Sequence, residues 1–252
     1  MYKKRLTDSD LLNPKEIREC LLEQSSFKDK YISDDCLLCF TSREGRVKTT
    51  MTVEEFINDE DFKSFIPCRD SFLKSINESN KFMYIRDDPE DGKFLEIGVY
   101  KGWNALRIYN EFSPNLLWLI DPDRKSIQRT GKIFDPVSAS DKRCKFIMDY
   151  SHNVVSRFKD QYFDFIYIDG GHTYKECKRD LELYYPKLKK GGVMSGHDFT
   201  CNENSMMEKG YGTQKAICEF LIRHNKKIQF ATVAPETEKP NKILPTDWAF
   251  IK

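Results

Sequence analysis

The sequence predicts an α/β fold built on a mostly parallel sheet of seven strands, with helices on both faces. Two observations predict it. From residue 93 onward, short apolar runs that end in Gly, Asp or Pro alternate with segments of helical period. Those segments are also long enough to carry the chain back across a sheet, which parallel strands require.

Seven apolar runs are the predicted strands. The first five are KFLEIGV (93–99), LLWLIDP (116–122), CKFIMDY (144–150), FDFIYIDG (163–170) and GGVMSGHD (191–198). The last two, IQFATVA (228–234) and DWAFIK (247–252), follow a helix predicted near 213–224, and the loop between them suits a closing hairpin.

The first part of the chain has a different character. Residues 1–90 are rich in charge and contain one hairpin predicted across LLCFTSREGRVKTTM. They also contain three predicted helices, PKEIRECLLEQ (14–24), TVEEFINDEDFKSFI (52–66) and SFLKSINESN (71–80). We therefore expect a mainly helical N-terminal cap over 1–90 that covers the substrate. The stretch DDPEDGK joins it to a sheet domain over 91–252.

Composition narrows the class of partner and the compartment. The chain has 41 basic and 40 acidic residues among 252, so no net field draws it to nucleic acid or to an anionic membrane. Apolar runs are short, and the first residues have no signal-peptide pattern, which favours a cytoplasmic protein. Cys36 and Cys39 have the spacing of a zinc pair, but no second pair lies nearby, so we expect reduced, half-buried thiols.

The first predicted strand runs into a glycine turn. Glu96, Gly98 and Gly102 form the pattern E-x-G-x-x-x-G, and a turn of this kind allows close approach of a ligand to backbone at the carboxyl edge of the sheet. Tyr100 and Trp103 stand where a dinucleotide fingerprint would have its other glycines. A pyrophosphate site is therefore disfavoured.

Acids follow the next two strands. Asp121 ends the second strand, where an acid suits ribose hydroxyls, and Asp149, with Ser151 just after it, ends the third on the side expected for an adenine amino group. Each acid alone is equally typical of a turn or a helix cap, and Asn104 is the predicted N-cap of the helix after the glycine turn.

Taken together, these motifs resemble those of the class I S-adenosylmethionine-dependent methyltransferases. The resemblance covers residues 93–252: EIGVYKG matches the first motif, the ribose acid falls on Asp121, and the adenine-side acid falls on Asp149. It implies a Rossmann-like sheet of six parallel strands with a seventh, antiparallel strand inserted, which would be DWAFIK. It also implies S-adenosylmethionine as cofactor, bound by residues of these motifs: Glu96, Gly98, Tyr100, Gly102, Asp121, Asp149, Ser151 and Asp169.

Acids and imidazoles follow the fourth and fifth strands. Asp169 and His172 lie in DGGHTY, and His197 and Asp198 in SGHDF, so all should meet at one edge of a parallel sheet. Carboxylates with imidazole suit Mg²⁺ or Mn²⁺, with Asp169 and Asp198 as the first candidates and His197 as a ligand or as a group that orients one. An alcohol can be activated there by such a metal or by the neutral imidazole of His172.

The stretch from DGGHTY to SGHDF resembles the macrocin and sugar O-methyltransferase branch, whose relatives include cephalosporin hydroxylase-like proteins. The resemblance implies that Asp169 and Asp198 hold magnesium and that His172 is the base. One departure is His197, which stands where many relatives have a carboxylate. The sequence therefore does not decide whether the site binds a metal.

The leading expectation is an O-methyltransferase that acts on a hydroxyl of a sugar, glycoside or polyhydroxylated small molecule. Two alternatives remain on the same scaffold: a hydroxylase-like enzyme, and a non-catalytic module that binds a partner through residues 1–90. A nicotinamide enzyme is less favoured because the glycines are missing. The sequence leaves a homo-oligomer open and does not name the acceptor.

Overall fold

The computed structural model describes residues 30–42, 48–52, 55, 65–67, 69–79, 92–138, 143–199, 212–235 and 243–252. Its strands are β1 (Ile32–Ser42), β2 (Lys48–Thr52), β3 (Phe65–Pro67), β4 (Lys93–Ile97), β5 (Leu116–Ile120), β6 (Cys144–Ile147), β7 (Phe163–Ile168), β8 (Leu188–Gly196), β9 (Ile228–Pro235) and β10 (Ile243–Ile251). Its helices are α1 (Arg69–Glu78), α2 (Trp103–Phe112), α3 (Arg124–Ser138), α4 (Ser151–Val154), α5 (Tyr174–Tyr184) and α6 (Thr213–Arg223).

All described strands form one sheet in the order β2-β1-β9-β10-β8-β7-β4-β5-β6, and β3 also pairs with β1. Strands β4 to β8 are parallel to their partners within this group. Strand β10 is inserted between β8 and β9 and is antiparallel to both, with Trp248 opposite Gly196 on one side and Ala231 on the other. The predicted parallel sheet, inserted strand and closing hairpin are confirmed.

The N-terminal region differs from the mainly helical expectation. Strand β1 pairs in parallel with β9, and β2 and β3 pair with β1, so three strands of this region extend the sheet. The expected hairpin is the β1–β2 pair, and α1 is one of the expected helices. The pairing of β1 with β9 joins segments about 190 residues apart, so no local pattern in the sequence indicates it. The helix expected over residues 14–24 lies outside the described residues, as does most of the helix expected over 52–66, whose last two residues belong to β3.

Apolar side chains fill both faces of the sheet, so the strands are buried. All six residues of β7 are buried, including Asp164, whose carboxylate accepts the Lys93 backbone N–H at 2.9 Å and pairs with Lys189 at 2.8 Å. Cys36 and Cys39 are both fully buried in β1 and form no disulfide. Within the described ranges, every helix is too short or too polar to span a bilayer.

The carboxyl ends of the central strands are joined by backbone hydrogen bonds beyond the paired residues. These bonds run from Gly98 N to Ile120 O (2.9 Å), Asp121 N to Ile147 O (3.1 Å), Asp169 N to Ile97 O (2.8 Å) and His197 N to Ile168 O (3.1 Å). They bring the residues that follow four strands to one edge of the sheet.

Gly98 is the tightest point of that edge. Its φ is +83°, and a Cβ there would lie 1.9 Å from the carbonyl oxygen of Asp169. We expect Gly98→Ala to lower the free energy of unfolding by about 2–4 kcal/mol, because left-handed strain and overpacking add. Urea unfolding measures the change.

Gly131 is the matched control, since it lies in α3 and a Cβ there would have no neighbour within 4 Å. Gly131→Ala should raise the unfolding free energy by about 0.5–1 kcal/mol through helix propensity. Equal stability of the wild-type protein and Gly98→Ala would contradict the packing described for this turn.

Candidate active site

A cavity of about 680 Å³ opens at the carboxyl edge of the sheet. The predicted residues that line it are Glu96, Gly98, Tyr100, Asp121, Ser151, Asp169, His172 and Asp198. Three other predicted residues, Gly102, Asp149 and His197, are not among its lining residues. Eight of the predicted residues therefore share one cavity, and the other three lie outside its lining.

Asp121 holds the glycine turn. One oxygen of its buried carboxylate accepts the backbone N–H groups of Val99 and Tyr100 at 2.9 and 3.0 Å, and the other accepts that of Asp123 at 2.8 Å. A carboxylate with several such bonds is strongly oriented. Asp121 is thus fixed at the cavity, with its remaining lone pairs available to a ligand hydroxyl.

The two glycines of the turn are required by packing within the protein. Gly98 is pressed against Asp169, as described above, and Gly102, with φ +75°, would place a Cβ 2.7 Å from the side chain of Thr130. Gly102 is also the residue that precedes α2, so Asn104 is not the N-cap. The Asn104 side chain turns back toward β4 instead.

Glu96 is a buried acid with one unsatisfied oxygen. It is 1% exposed, and its Oε1 accepts a hydrogen bond from Asn104 Nδ2 at 2.9 Å. Its Oε2 has no hydrogen-bond partner among the described residues. Burial raises the pKa of Glu96 to about 8, and the bond from Asn104 opposes that rise. An orphaned buried oxygen of this kind suits a donor supplied by a ligand.

Asp149 and Ser151 lie at the start of α4. Asp149 Oδ1 accepts from the Tyr150 backbone N–H at 2.7 Å and from Asn153 Nδ2 at 2.8 Å, and the N-cap of α4 is Tyr150. Ser151 donates to the buried Asp180 at 2.6 Å, and burial raises the pKa of Asp180. Asp149 thereby orders the backbone that presents Tyr150 and Ser151 to the cavity.

Asp198 lies between two imidazoles. Its Oδ2 is 2.8 Å from His172 Nδ1, and its Oδ1 is 3.0 Å from His197 Nδ1. Burial alone would raise the pKa of Asp198, but the hydrogen bonds from both histidines outweigh it and lower that pKa. Asp198 has φ +57°, an uncommon backbone conformation for a non-glycine residue that is often found at functional sites.

The carboxylate of Asp198 orients the imidazoles of His172 and His197. The hydrogen bond to Asp198 raises the pKa of His172, although partial burial opposes it. Because Nδ1 of His172 donates to Asp198, Nε2 is the ring nitrogen that would take a proton from a bound molecule. The backbone carbonyl of His172 accepts from Gly212 N at 2.9 Å, which fixes the start of α6 beside it.

Asp169 completes a group that could hold a metal ion. One ligand atom from each of Asp169, His172 and Asp198 lies within 4.8 Å of the others. Burial raises the pKa of Asp169 to about 6, with the charge of His197 opposing and that of Asp198 adding to the rise. His197 Nδ1 is 4.0 Å from Asp169 Oδ1. The imidazole that completes the group is thus His172, whereas the sequence suggested His197.

Several cavity residues had no signal in the sequence. Arg69 reaches the cavity from α1, and Glu176, Arg179 and Asp180 line it from α5. Exposed aromatic side chains of Trp103 and Tyr150 also line it, in addition to the predicted Tyr100. The helical spacing of α5 could have suggested its three residues, because positions 176, 179 and 180 share one helix face. Nothing local marks Arg69.

Comparison with protein families agrees with this architecture. Residues 95–199 match the family model described as a methyltransferase domain. That stretch begins in β4 and ends just beyond β8, so it contains the glycine turn, Asp121, Asp169, His172 and Asp198. A search of curated proteins finds no match.

Solved structures share the fold at low sequence identity. An O-methyltransferase from Bacillus cereus, in complex with S-adenosylhomocysteine, has a TM-score of 0.51 and 16% identity over 72% of this chain and 79% of that one. A protein from Corynebacterium glutamicum has a TM-score of 0.51 and 16% identity over 74% and 82%. An rRNA methylase from Streptococcus thermophilus has a TM-score of 0.50 and 11% identity over 73% and 93%.

Residues 95–199 match a methyltransferase domain, and the strand order with its inserted antiparallel strand agrees with that match. The protein is an enzyme of the S-adenosylmethionine-dependent type. Which group it methylates is a separate question, because one such fold serves many substrates.

Glu96 gives a test of the electrostatics of the site. The folded protein retains its proton up to a pKa of about 8, whereas the unfolded chain releases it near 4.5. The contribution of Glu96 to stability is therefore present below pH 4.5 and is lost as the pH rises toward 8. Between pH 5 and pH 8, the free energy of unfolding of Glu96→Gln should therefore rise relative to that of the wild-type protein by on the order of a few kcal/mol.

Urea unfolding of both proteins at the two pH values measures that difference. Glu78→Gln, at an exposed position of α1, controls for removal of a glutamate in general. A gap between Glu96→Gln and wild type that is the same at pH 5 and pH 8 would show that Glu96 does not carry a raised pKa.

Proposed function

We propose that the protein is an O-methyltransferase that acts on a hydroxyl of a sugar, glycoside or polyhydroxylated small molecule. The observation that carries the proposal is the position of the His172–Asp198 pair, 2.8 Å apart, on the same cavity as the glycine turn. A base beside a cofactor pocket is the minimum that transfer to an alcohol requires. S-adenosylmethionine supplies the methyl group as an electrophilic carbon on a sulfonium.

The residues along β4 and β5 fit this cofactor. Asp121 faces the cavity as an oriented acceptor for ribose hydroxyls, and the turn at Gly98 to Gly102 follows the strand end where such ligands bind. Glu96 offers an orphaned buried oxygen to an ammonium group. Tyr100 and Ser151 contribute further to the wall, and Asp149 serves the adenine side by ordering α4.

His172 is the general base of this proposal. Asp198 accepts its Nδ1–H, which sets the tautomer and directs Nε2 to the acceptor hydroxyl. Asp198 also stabilises the imidazolium that forms when His172 takes the proton. His197, bonded to the other oxygen of Asp198, keeps this carboxylate in place and near Asp169.

A divalent cation fits between the same acids. Asp169 and Asp198 supply the oxygen ligands that Mg²⁺ or Mn²⁺ prefers, with an imidazole adjacent. Such an ion would lower the pKa of an acceptor hydroxyl bound to it. If His172 is itself a ligand, it cannot act as the base, so the two routes can be separated by experiment.

The domain assignment also remains a proposal. We place the methyltransferase domain at 91–252 and a cap region at 1–90, and Arg69 of the cap region lines the cavity. The near-zero net charge favours a small acceptor over a nucleic acid or a membrane surface, in a cytoplasmic enzyme.

The direct test is transfer of a labelled methyl group from S-adenosylmethionine to a panel of sugar and polyketide hydroxyl acceptors. Each reaction is run with Mg²⁺, with Mn²⁺ and with a chelator. The proposal predicts label on a hydroxyl oxygen of at least one acceptor. Label only on nitrogen or sulfur of control acceptors would contradict it. If the chelator does not change the rate, the metal has no part in the mechanism.

In the same assay, His172→Ala should lower kcat by about 10²- to 10⁴-fold, the usual contribution of a general base. Binding of S-adenosylmethionine should change little. His224→Ala, an imidazole at the end of α6 outside the cavity, is the matched control and should retain activity. Full activity of His172→Ala would exclude His172 as the base.

A further inference from the structure

Arg69 is the first residue of α1, outside the stretch that matches the methyltransferase domain. Its side chain is 21% exposed and lines the cavity. Its Nε donates to Asp247 Oδ1 at 2.7 Å, which joins residues 178 positions apart in the sequence. A partly buried arginine that faces a cavity lined by acids requires an explanation, because removing its charge from water is costly.

The position of Arg69 is fixed by the sheet. Asp247, 3% exposed, also accepts from the Tyr167 hydroxyl at 2.6 Å and from Thr232 Oγ1 at 2.8 Å. The guanidinium carbon lies 5.7 Å from the centre of the Tyr167 ring. These contacts come from β7, β9 and β10. The arginine is therefore pre-organised before any ligand binds.

Asn104 connects Arg69 to the orphaned acid of the site. Its Oδ1 accepts from Arg69 at 3.4 Å, and its Nδ2 donates to Glu96 Oε1 at 2.9 Å. One amide side chain thus separates a guanidinium from a buried carboxyl group whose other oxygen has no partner among the described residues. The guanidinium of Arg69 and the carboxyl group of Glu96 therefore both lie at the cavity, with the side chain of Asn104 between them.

We propose that Arg69 binds the carboxylate of the amino-acid portion of S-adenosylmethionine, while Glu96 receives its ammonium group. The inference rests on the proposed function, in which this cavity holds the cofactor. An α-amino acid carries a carboxylate and an ammonium group on one carbon, so a guanidinium near a carboxyl group that has an open acceptor oxygen is complementary to it. Arginine presents a fork of N–H donors matched to a carboxylate, and its described contacts leave part of that fork for a ligand.

The other cations of the cavity, which are Lys101, Arg107 and Arg179, are less suited to this role. Arg107 pairs with Asp70 at 3.0 Å, and both side chains are about half exposed. Lys101 lies 5.1 Å from the centre of the Tyr100 ring. None of the three connects to Glu96 through a described hydrogen bond, whereas Arg69 does so through Asn104. The N-terminal region therefore completes the cofactor site that the matched domain begins.

The test compares S-adenosylmethionine with decarboxylated S-adenosylmethionine, which differs only by the carboxylate, in calorimetric titrations of the full chain. The wild-type protein should bind the carboxylate form about 10- to 100-fold more tightly, as expected for a charged hydrogen bond. Arg69→Gln should lose that preference by weakening only the carboxylate form. Arg69→Lys should retain part of it.

Two further variants keep the test decisive. Arg69→Gln leaves the buried charge of Asp247 without its cation, so the double variant with Asp247→Asn removes both charges. Thermal unfolding checks that each variant is folded. Arg107→Gln, which also removes a cation of the cavity, should affect the two compounds alike.

Each outcome has one meaning. Equal affinity of the wild-type protein for both compounds, or an equal loss for both in Arg69→Gln, would overturn the role of Arg69 and leave the proposed function standing. If the wild-type protein binds neither compound, the proposed function fails, and this inference fails with it.

Discussion

The carboxyl ends of the central strands fit together at one point, and the rest of the site depends on that fit. The backbone N–H of Asp169 donates to Ile97, and the carbonyl of Asp169 lies so close to Gly98 that a Cβ there would be 1.9 Å from it. Every larger side chain would separate β4 from β7. Because the strands cannot separate, the residues that follow them face one cavity at fixed spacing.

Charge compensation explains the composition of that cavity. Glu96, Asp169 and Asp198 are acids that the fold removes from water, which costs free energy unless each finds a partner. Asp198 has two imidazoles and remains ionised. Glu96 has only Asn104 and retains its proton. The site therefore combines one strongly anionic centre with one neutral acid, and a ligand with an ammonium group would supply what Glu96 lacks.

The parts of the fold that follow from local pattern could be predicted from the sequence. The apolar runs from residue 93 onward are confirmed as strands because alternation of strand and helix is itself a local signal. The meeting of Asp169, His172 and Asp198 also follows, since parallel strands place their carboxyl ends at one edge. The choice of His172 over His197 in that group required the turn geometry after each strand.

Other features arise from pairings that no local pattern encodes. Arg69 meets Asp247 across 178 residues, and its neighbours in the sequence give no sign of it. The hairpin of β1 and β2 was predicted, but the parallel pairing of β1 with β9, which joins this hairpin to the sheet, has no local signal. The hydrogen bonds of Asp121 to the backbone of Val99 and Tyr100 could not be predicted either, because they depend on the path of the turn.

The claim at the centre of this account is that the edge formed by β4, β5, β7 and β8 binds S-adenosylmethionine. Calorimetric titration of the full chain with S-adenosylmethionine and, in parallel, with NAD tests it most directly. We expect a saturable heat of binding with one site per chain for S-adenosylmethionine, and no heat of binding for NAD. Absence of heat with S-adenosylmethionine at high concentration, or saturable binding of NAD in its place, would contradict it.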